Sequence, residues 1–104
     1  MALLSVEFSP SALSDLQVIL DYYEEQGVAD IGKQIVQKLI DATQTLPNFP
    51  EMGRTVPEFD TPTLRELIQP PYRAVYHLTP DRIAIIRVWR SERLLTPHNI
   101  TTTN

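Results

Sequence analysis

The chain has 104 residues, a length that suits a single domain with one buried core. Apolar residues make up 42% of it and cysteine is absent, which excludes disulfides, thiolate metal sites and cysteine nucleophiles. The first residues lack the basic leader of a signal peptide, and no stretch is apolar enough to cross a bilayer, so we expect a cytoplasmic protein without membrane partners.

The net charge of −4 is unevenly distributed along the chain. Residues 1–53 carry eight acidic side chains and two lysines, whereas residues 54–104 carry seven arginines, five acidic side chains and no lysine. Arginine suits bidentate recognition of carboxylate or phosphate, so these arginines either share a recognition surface or are solvated residues of separate strand faces. The acidic total argues against direct, sequence-specific binding of nucleic acid.

The first part of the chain predicts a strand and two helices. Residues 4–8 alternate between apolar and polar, and Ser9-Pro10 is a typical helix start, with Gly27 suited to end that helix near residue 26. A second helix over residues 30–46 follows a short connection, so we expect an antiparallel helical hairpin. The apolar stripes predicted to face the core comprise Ala12, Leu13, Leu16, Ile19, Leu20 and Tyr23, then Ile31, Ile35, Val36, Leu39, Ile40, Ala42 and Leu46.

The second part predicts a proline-rich loop and three strands. The loop covers residues 47–63, and strand-like runs follow at residues 64–69, 72–79 and 82–89. Pro70-Pro71 and Pro80-Asp81 separate these runs, which demands antiparallel hairpins. The last run is apolar at both parities and is predicted to be a central strand covered on both faces.

The element order β-α-α-β-β-β predicts an α+β fold, in which the helical hairpin packs on a mainly antiparallel four-stranded sheet. We expect residues 1–95 to form this domain and residues 96–104 to form a loose tail. Leu16, Leu39 and Ile86 are predicted to lie in the core shared by hairpin and sheet.

Five short motifs occur in order on these elements. They are Val-Glu-Phe-Ser-Pro-Ser-Ala at residues 6–12, Gly53-Arg54 followed by Pro57-Glu58, Leu-Arg-Glu-Leu at residues 64–67, Tyr-Arg-Ala-Val-Tyr at residues 72–76, and Ile-Ile-Arg-Val-Trp-Arg-Ser-Glu-Arg at residues 85–93. Each motif alone is common, but the set at these separations resembles the ParE/RelE superfamily of toxins from type II toxin–antitoxin systems. The resemblance covers roughly residues 4–93 and implies the same α+β fold.

Departures from the family pattern indicate the ParE branch. The chain has Arg90 where the last strand of the family usually ends in histidine, and Glu92 replaces the first arginine of the pair that commonly follows. No tyrosine occurs after Tyr76, whereas the ribosome-dependent ribonucleases of the superfamily typically place a histidine or tyrosine late in the chain. The missing histidine at the end of the last strand and the missing late tyrosine both count against RNA cleavage.

RNA cleavage needs a base, an acid and cations on the phosphate. Glu58 is the candidate base and His98 the candidate acid, but His98 follows Pro97 in the tail and Glu58 is expected to pair with an arginine. His77 is interpreted as a half-buried structural residue of a strand. This poor acid–base set favours a toxin that binds its target. The two histidines are 21 positions apart, and neither a metal site nor a cofactor is indicated.

Resemblance to the ParE branch implies a toxin that binds and poisons DNA gyrase and is neutralised by a cognate antitoxin, with which it forms a hetero-oligomer. The residues predicted to bind the target are Arg54, Arg65, Arg73, Trp89, Arg90 and Arg93, with Glu58 as a supporting acid. Plain core packing is the alternative for Trp89. The alternatives for the whole protein are a ribosome-dependent mRNA endoribonuclease of RelE type and a non-toxic relic that only binds antitoxin. We expect the antitoxin to fold across the helical hairpin and the sheet edges.

Overall fold

A computed structural model describes residues 4–100 of the chain. The elements are β1 (Ser5–Phe8), α1 (Pro10–Glu25), α2 (Ala29–Thr43), β2 (Arg54–Thr55), β3 (Leu64–Gln69), β4 (Tyr72–Leu78) and β5 (Arg82–Arg90). They form one five-stranded sheet in the order β1-β5-β4-β3-β2, in which only β1 and β5 pair in parallel. The predicted α+β architecture and element order are confirmed.

The sheet has five strands because the proline-rich loop contributes a short one. Arg54 and Thr55 pair with Glu66 and Arg65 at the outer side of β3, a pairing that a two-residue segment does not reveal by periodicity. The prediction of four strands was therefore short by one edge strand. The placement of the last run is confirmed, since β5 lies inside the sheet between β1 and β4.

Helix α1 begins as its sequence predicts. The Ser9 hydroxyl accepts a hydrogen bond from the Ala12 N–H at 3.0 Å and donates to the Ile86 carbonyl at 3.1 Å, which ties the helix start to β5. Gly27, at φ 77°, follows the helix in the left-handed region that favours glycine. Ala12, Leu16 and Ile19 are buried, whereas Leu13 is 54% exposed, so its inclusion in the core stripe was wrong.

Helix α2 is shorter than predicted and slightly rotated. It ends at Thr43, three residues before Leu46, and buries Gly32, Val36, Leu39 and Thr43, while Ile31 is 47% exposed. A Cβ on Gly32 would lie 2.8 Å from the Cβ of Tyr23, closer than carbon atoms tolerate. The two helices thus approach closely at a glycine. Ile35 and Ile40 of the predicted stripe pack against the core, so Ile31 is its misplaced isoleucine.

The sheet separates two cores. The helix face packs against α1 and α2 and buries Ala12, Leu16, Ile19, Val36, Leu39, Leu46, Tyr72, Ala74, Tyr76, Ile83, Ile85 and Val88. The outer face buries Val56, Leu64, Val75, Ile86, Trp89 and Leu95. Leu16 and Leu39 lie in the hairpin–sheet core as predicted, but Ile86 lies in the outer core, so its assignment to the shared core was wrong.

An irregularity in β5 decides which face receives Trp89. Val75 pairs with Arg87 while Tyr76 pairs with Ile85, which leaves Ile86 as an extra residue in a β-bulge. The bulge shifts the alternation of the strand, so Val88 joins the helix-face core and Trp89 the outer core. Strand alternation alone would place them the other way round.

Candidate functional site

The outer face carries a buried ionic network centred on Arg73. Its Nη1 donates to Glu66 Oε1 at 2.7 Å and to Glu58 Oε1 at 3.2 Å, and its Nη2 donates to Glu58 Oε2 at 2.5 Å. The side chains of Arg73 and Glu66 are 3% and 0% exposed. Arg54 donates through Nε to the other oxygen of Glu66. The buried Arg73 and the exposed Arg54 therefore compensate two carboxylates, as a buried charge such as that of Glu66 requires.

The ion pair fixes the protonation state of Glu58. The hydrogen bond from Arg73 lowers the pKa of Glu58 from 4.5 to about 2, in opposition to burial and with support from the Leu95 N–H. The same contact raises the pKa of Arg73. Glu58 stays ionised at neutral pH and both its oxygens are engaged, so it is a poor proton acceptor while the pair is intact.

The network also holds the C-terminal segment, residues 91–100, against the outer face. Glu58 Oε2 accepts a hydrogen bond from the Leu95 N–H at 2.8 Å, and Arg73 Nη2 donates to the Arg93 carbonyl. Leu95 is 4% exposed and Ile100 packs against the outer core. The last four residues of the predicted loose tail, 101–104, lie outside the described residues.

Trp89 contacts two arginines at the end of β5. The guanidinium carbon of Arg93 is 3.5 Å from the centroid of the indole, and that of Arg87 is 4.5 Å from it. Arg87 is in turn held by Asp15 of α1, through hydrogen bonds of 2.9 and 2.7 Å. Trp89 is 5% exposed and is the direct cross-strand neighbour of Arg73. Trp89 thus supports cations rather than reaching into solvent.

Two of the six predicted binding residues lie on the helix face. Arg65 is paired with Tyr76 and donates to the Pro62 and Gly53 carbonyls at 2.9 and 2.8 Å. Arg90 forms an exposed ion pair with Glu92 and sits over the ring of Tyr72, 5.9 Å from its centroid. The structure therefore brings together Arg54, Arg73, Trp89 and Arg93 on the outer face and separates Arg65 and Arg90 from them.

The Gly53-Arg54 motif has a steric basis. The Gly53 N–H donates to the Tyr76 hydroxyl at 3.0 Å, and that hydroxyl donates to the Pro50 carbonyl at 2.8 Å. A Cβ on Gly53 would lie 2.5 Å from the Glu66 carbonyl oxygen and 2.7 Å from the Tyr76 hydroxyl. Only glycine fits here, and this close approach delivers Arg54 to Glu66.

Other side chains stand apart from this network or were missed by sequence reasoning. His77 and His98 are exposed, so the interpretation of His77 as half-buried was wrong. His77 lines a cavity of about 260 Å³ together with Phe59 and Ile100. Glu66 was not predicted as a site residue, although it shares the strand parity of buried Leu64. That parity was the available signal.

Two negative findings concern the described part of the chain. Within residues 4–100, no helix combines the length and apolarity that a membrane span requires. Over the same residues, no three histidine, aspartate or glutamate side chains are grouped as metal ligands would be.

The fold is that of the ParE/RelE class of toxins, the class that the sequence motifs indicated. The family model described as ParE toxin of the type II toxin-antitoxin system parDE matches residues 6–95, and the chain belongs to this family. Among solved structures, the chromosomal ParDE toxin–antitoxin system from P. aeruginosa is similar, with a TM-score of 0.73, 24% identity, and coverage of 86% of this chain and 98% of that chain.

The YoeB dimer from Staphylococcus aureus is also similar in fold, with a TM-score of 0.60, 18% identity, and coverage of 88% of this chain and 100% of that chain. No curated protein sequence matches this chain. At these identities the solved structures establish the shared fold, while the family match establishes a toxin of the ParE family.

Proposed function

We propose that this ParE-family toxin inhibits growth in the cytoplasm by binding and poisoning DNA gyrase, and that a cognate antitoxin neutralises it. Family membership supplies the toxin class. The observation that favours binding over hydrolysis is the engagement of Glu58, whose two oxygens accept hydrogen bonds from Arg73 and Leu95. The carboxylate best placed to act as a base therefore has a structural contact to break before it can take a proton.

The target-contacting residues in this proposal are the arginines of the predicted set other than the buried Arg73. Arg54 and Arg93 present their charge on the outer face, while Arg90 and the half-buried Arg65 do so from the helix face. Arg73 and Trp89 are buried. Trp89 supports Arg93, and Arg73 shares the carboxylate of Glu66 with Arg54. Arginines supported by an aromatic ring are typical of protein-interface hot spots, because the guanidinium is ordered before binding.

The antitoxin in this proposal covers apolar surface on the hairpin and open edges of the sheet. Val18 and Tyr22 on α1 are 62% and 51% exposed, and Ile31 on α2 is 47% exposed. Strand β2 pairs only with Arg65 and Glu66, so among the described residues 67–69 have no outer strand partner. An antitoxin segment that adds a helix and a strand there would form a stable hetero-oligomer.

Induced expression tests the mechanism in cells. Gyrase poisoning predicts a DNA-damage response and cleaved gyrase–DNA complexes, while primer extension on a translated message shows no early cuts. Co-expression of the product of the adjacent gene should abolish the effect, and calorimetry should show a tight complex. Cuts at codon-spaced positions would assign the protein to the ribonuclease alternative. Absence of any growth effect would assign it to the antitoxin-binding relic.

A further inference from the structure

We propose that Glu58 is a positioning residue that anchors the C-terminal segment so that Arg93 presents its guanidinium on Trp89 to a carboxylate of the gyrase surface. This inference rests on the proposed function for the identity of the target. It gives Glu58 a role that involves no proton transfer, and it makes Arg93 the centre of the contact surface.

The anchoring is carried by one carboxylate that bridges three parts of the chain. Glu58 belongs to the loop between β2 and β3, and it accepts hydrogen bonds from Arg73 of β4 and from the N–H of Leu95. Arg73 completes the bridge by donating to the Arg93 carbonyl. Both contacts lie just C-terminal to the Cα of Arg93, at its own carbonyl and at the N–H of Leu95. Glu58 and Arg73 therefore fix the main chain from which the Arg93 side chain reaches the Trp89 ring.

Arg93 differs from the other arginines in its electrostatic partners. Each of Arg54, Arg73, Arg82, Arg87 and Arg90 lies within ion-pair distance of a glutamate or aspartate. Within residues 4–100, neither Arg93 nor Arg65 has such a carboxylate, and Arg65 uses its donors on main-chain carbonyls. Arg93 is exposed, with its guanidinium on the Trp89 ring.

A guanidinium that is stacked on an aromatic ring and has no carboxylate partner suits a carboxylate on a partner protein. Stacking on the indole leaves the edge of the guanidinium, with its N–H donors, free to form a bidentate pair. Since Trp89 and Glu58 already restrict the side chain, less conformational entropy is lost on binding than for a freely rotating arginine. The network thus orders the Arg93 guanidinium before the target binds.

Trp89 is the single tryptophan of the chain, which makes its fluorescence a direct report on this segment. We would compare the wild type with Glu58→Gln and Arg93→Gln, and use Glu7→Gln as the control because it also removes one Arg–Glu pair, the exposed one with Arg82. Acrylamide quenching reports the position of the segment, and titration with purified gyrase in the absence of DNA reports the contact. Circular dichroism checks that each variant is folded.

We expect Glu58→Gln to raise the quenching of Trp89 severalfold and to shift its emission to the red, while Glu7→Gln leaves both unchanged. Affinity for gyrase should fall about tenfold for Arg93→Gln, a loss typical of one interface hot spot. It should fall by a similar factor for Glu58→Gln. The double variant should be no weaker than Arg93→Gln, because Glu58 acts through Arg93.

Quenching of folded Glu58→Gln at the wild-type value would overturn the inference, as would additive losses in the double variant. If Glu58→Gln does not fold, Arg93→Gln decides the matter, and wild-type affinity of that variant would refute the inference. A wild-type protein that fails to bind gyrase would refute the proposed function alone, since the quenching comparison tests the anchoring without any target.

Discussion

The two faces of the sheet are buried by different means. The helix face is covered by two regular helices, and its core consists of aliphatic and aromatic side chains. The outer face is covered by residues of the β2–β3 loop and by the C-terminal segment, and it buries Arg73 and Glu66 beside Trp89. The first face gains its stability from apolar area, whereas the second combines a smaller apolar core with the pairing of buried charges.

The two faces therefore differ in how strictly they fix the positions of their side chains. A helix-covered face tolerates changes of apolar residues of similar volume. A face held by buried ion pairs fixes the directions of its side chains, because a displaced partner leaves an uncompensated charge. Two of the four arginines proposed to meet the target, Arg54 and Arg93, are attached to this second kind of structure.

The largest effect on stability is expected from Arg73→Met. The change leaves Glu66 with Arg54 as its only ion-pair partner and removes the side-chain partner of Glu58. Breaking a buried pair in this way costs about 3–5 kcal/mol, which urea unfolding followed by circular dichroism would measure. Replacing Glu66 by Leu in the same background should restore part of the loss. A cost below about 1 kcal/mol would mean that the network behaves like a solvated surface pair.

Leu39→Ala and Ile86→Ala compare the apolar cores of the two faces. Leu39 is 2% exposed beneath the helices, and Ile86 is 4% exposed in the outer core. Each truncation should cost about 2–5 kcal/mol, as large-to-small changes in packed cores do. We expect Ile86→Ala, but not Leu39→Ala, to raise acrylamide quenching of Trp89 in the folded protein. Equal quenching in the two variants would contradict the separation of the cores.

The smallest expected effect is the loss of folding stability at acidic pH that results from protonation of Glu58. The folded pKa of Glu58, about 2, is below its usual value of 4.5. The stability that it contributes is therefore fully present above pH 4.5 and is lost as the pH falls toward 2. Allowing for solvent screening at the rim, this is on the order of 2 kcal/mol. Glu58→Gln should flatten this part of the stability–pH profile, and an unchanged profile would contradict the assignment.

The helix face and the strand pairing could be predicted from the sequence because their signals are periodic. The bounds of α1 and β3–β5 agree with the prediction to within one residue. The prediction of α2 was less accurate in its bounds and at Ile31, which is exposed, whereas Leu39 and Leu46 of the predicted stripe are buried.

The outer face could not be predicted in the same way. Its residues Val56 and Leu95 come from segments without periodicity, and the bulge at Ile86 reverses the alternation that places Trp89. Sequence reasoning therefore grouped six arginine and tryptophan positions that the sheet divides between its two sides. The predicted pairing of Glu58 with an arginine is confirmed by its contact with Arg73. No sequence pattern indicates that Glu58 also accepts a hydrogen bond from the Leu95 N–H.

We propose that this toxin acts through contact residues and not through proton transfer. Inhibition of supercoiling by purified gyrase tests it most directly, with the wild type, His77→Ala/His98→Ala and Arg54→Gln/Arg93→Gln compared side by side. We predict that the wild type and the histidine variant inhibit equally, since both histidines are exposed and outside the ionic network. The arginine variant should require roughly 10–100-fold more protein, as the loss of two hot-spot contacts would produce. Loss of inhibition in the histidine variant, with full inhibition by the arginine variant, would contradict the account.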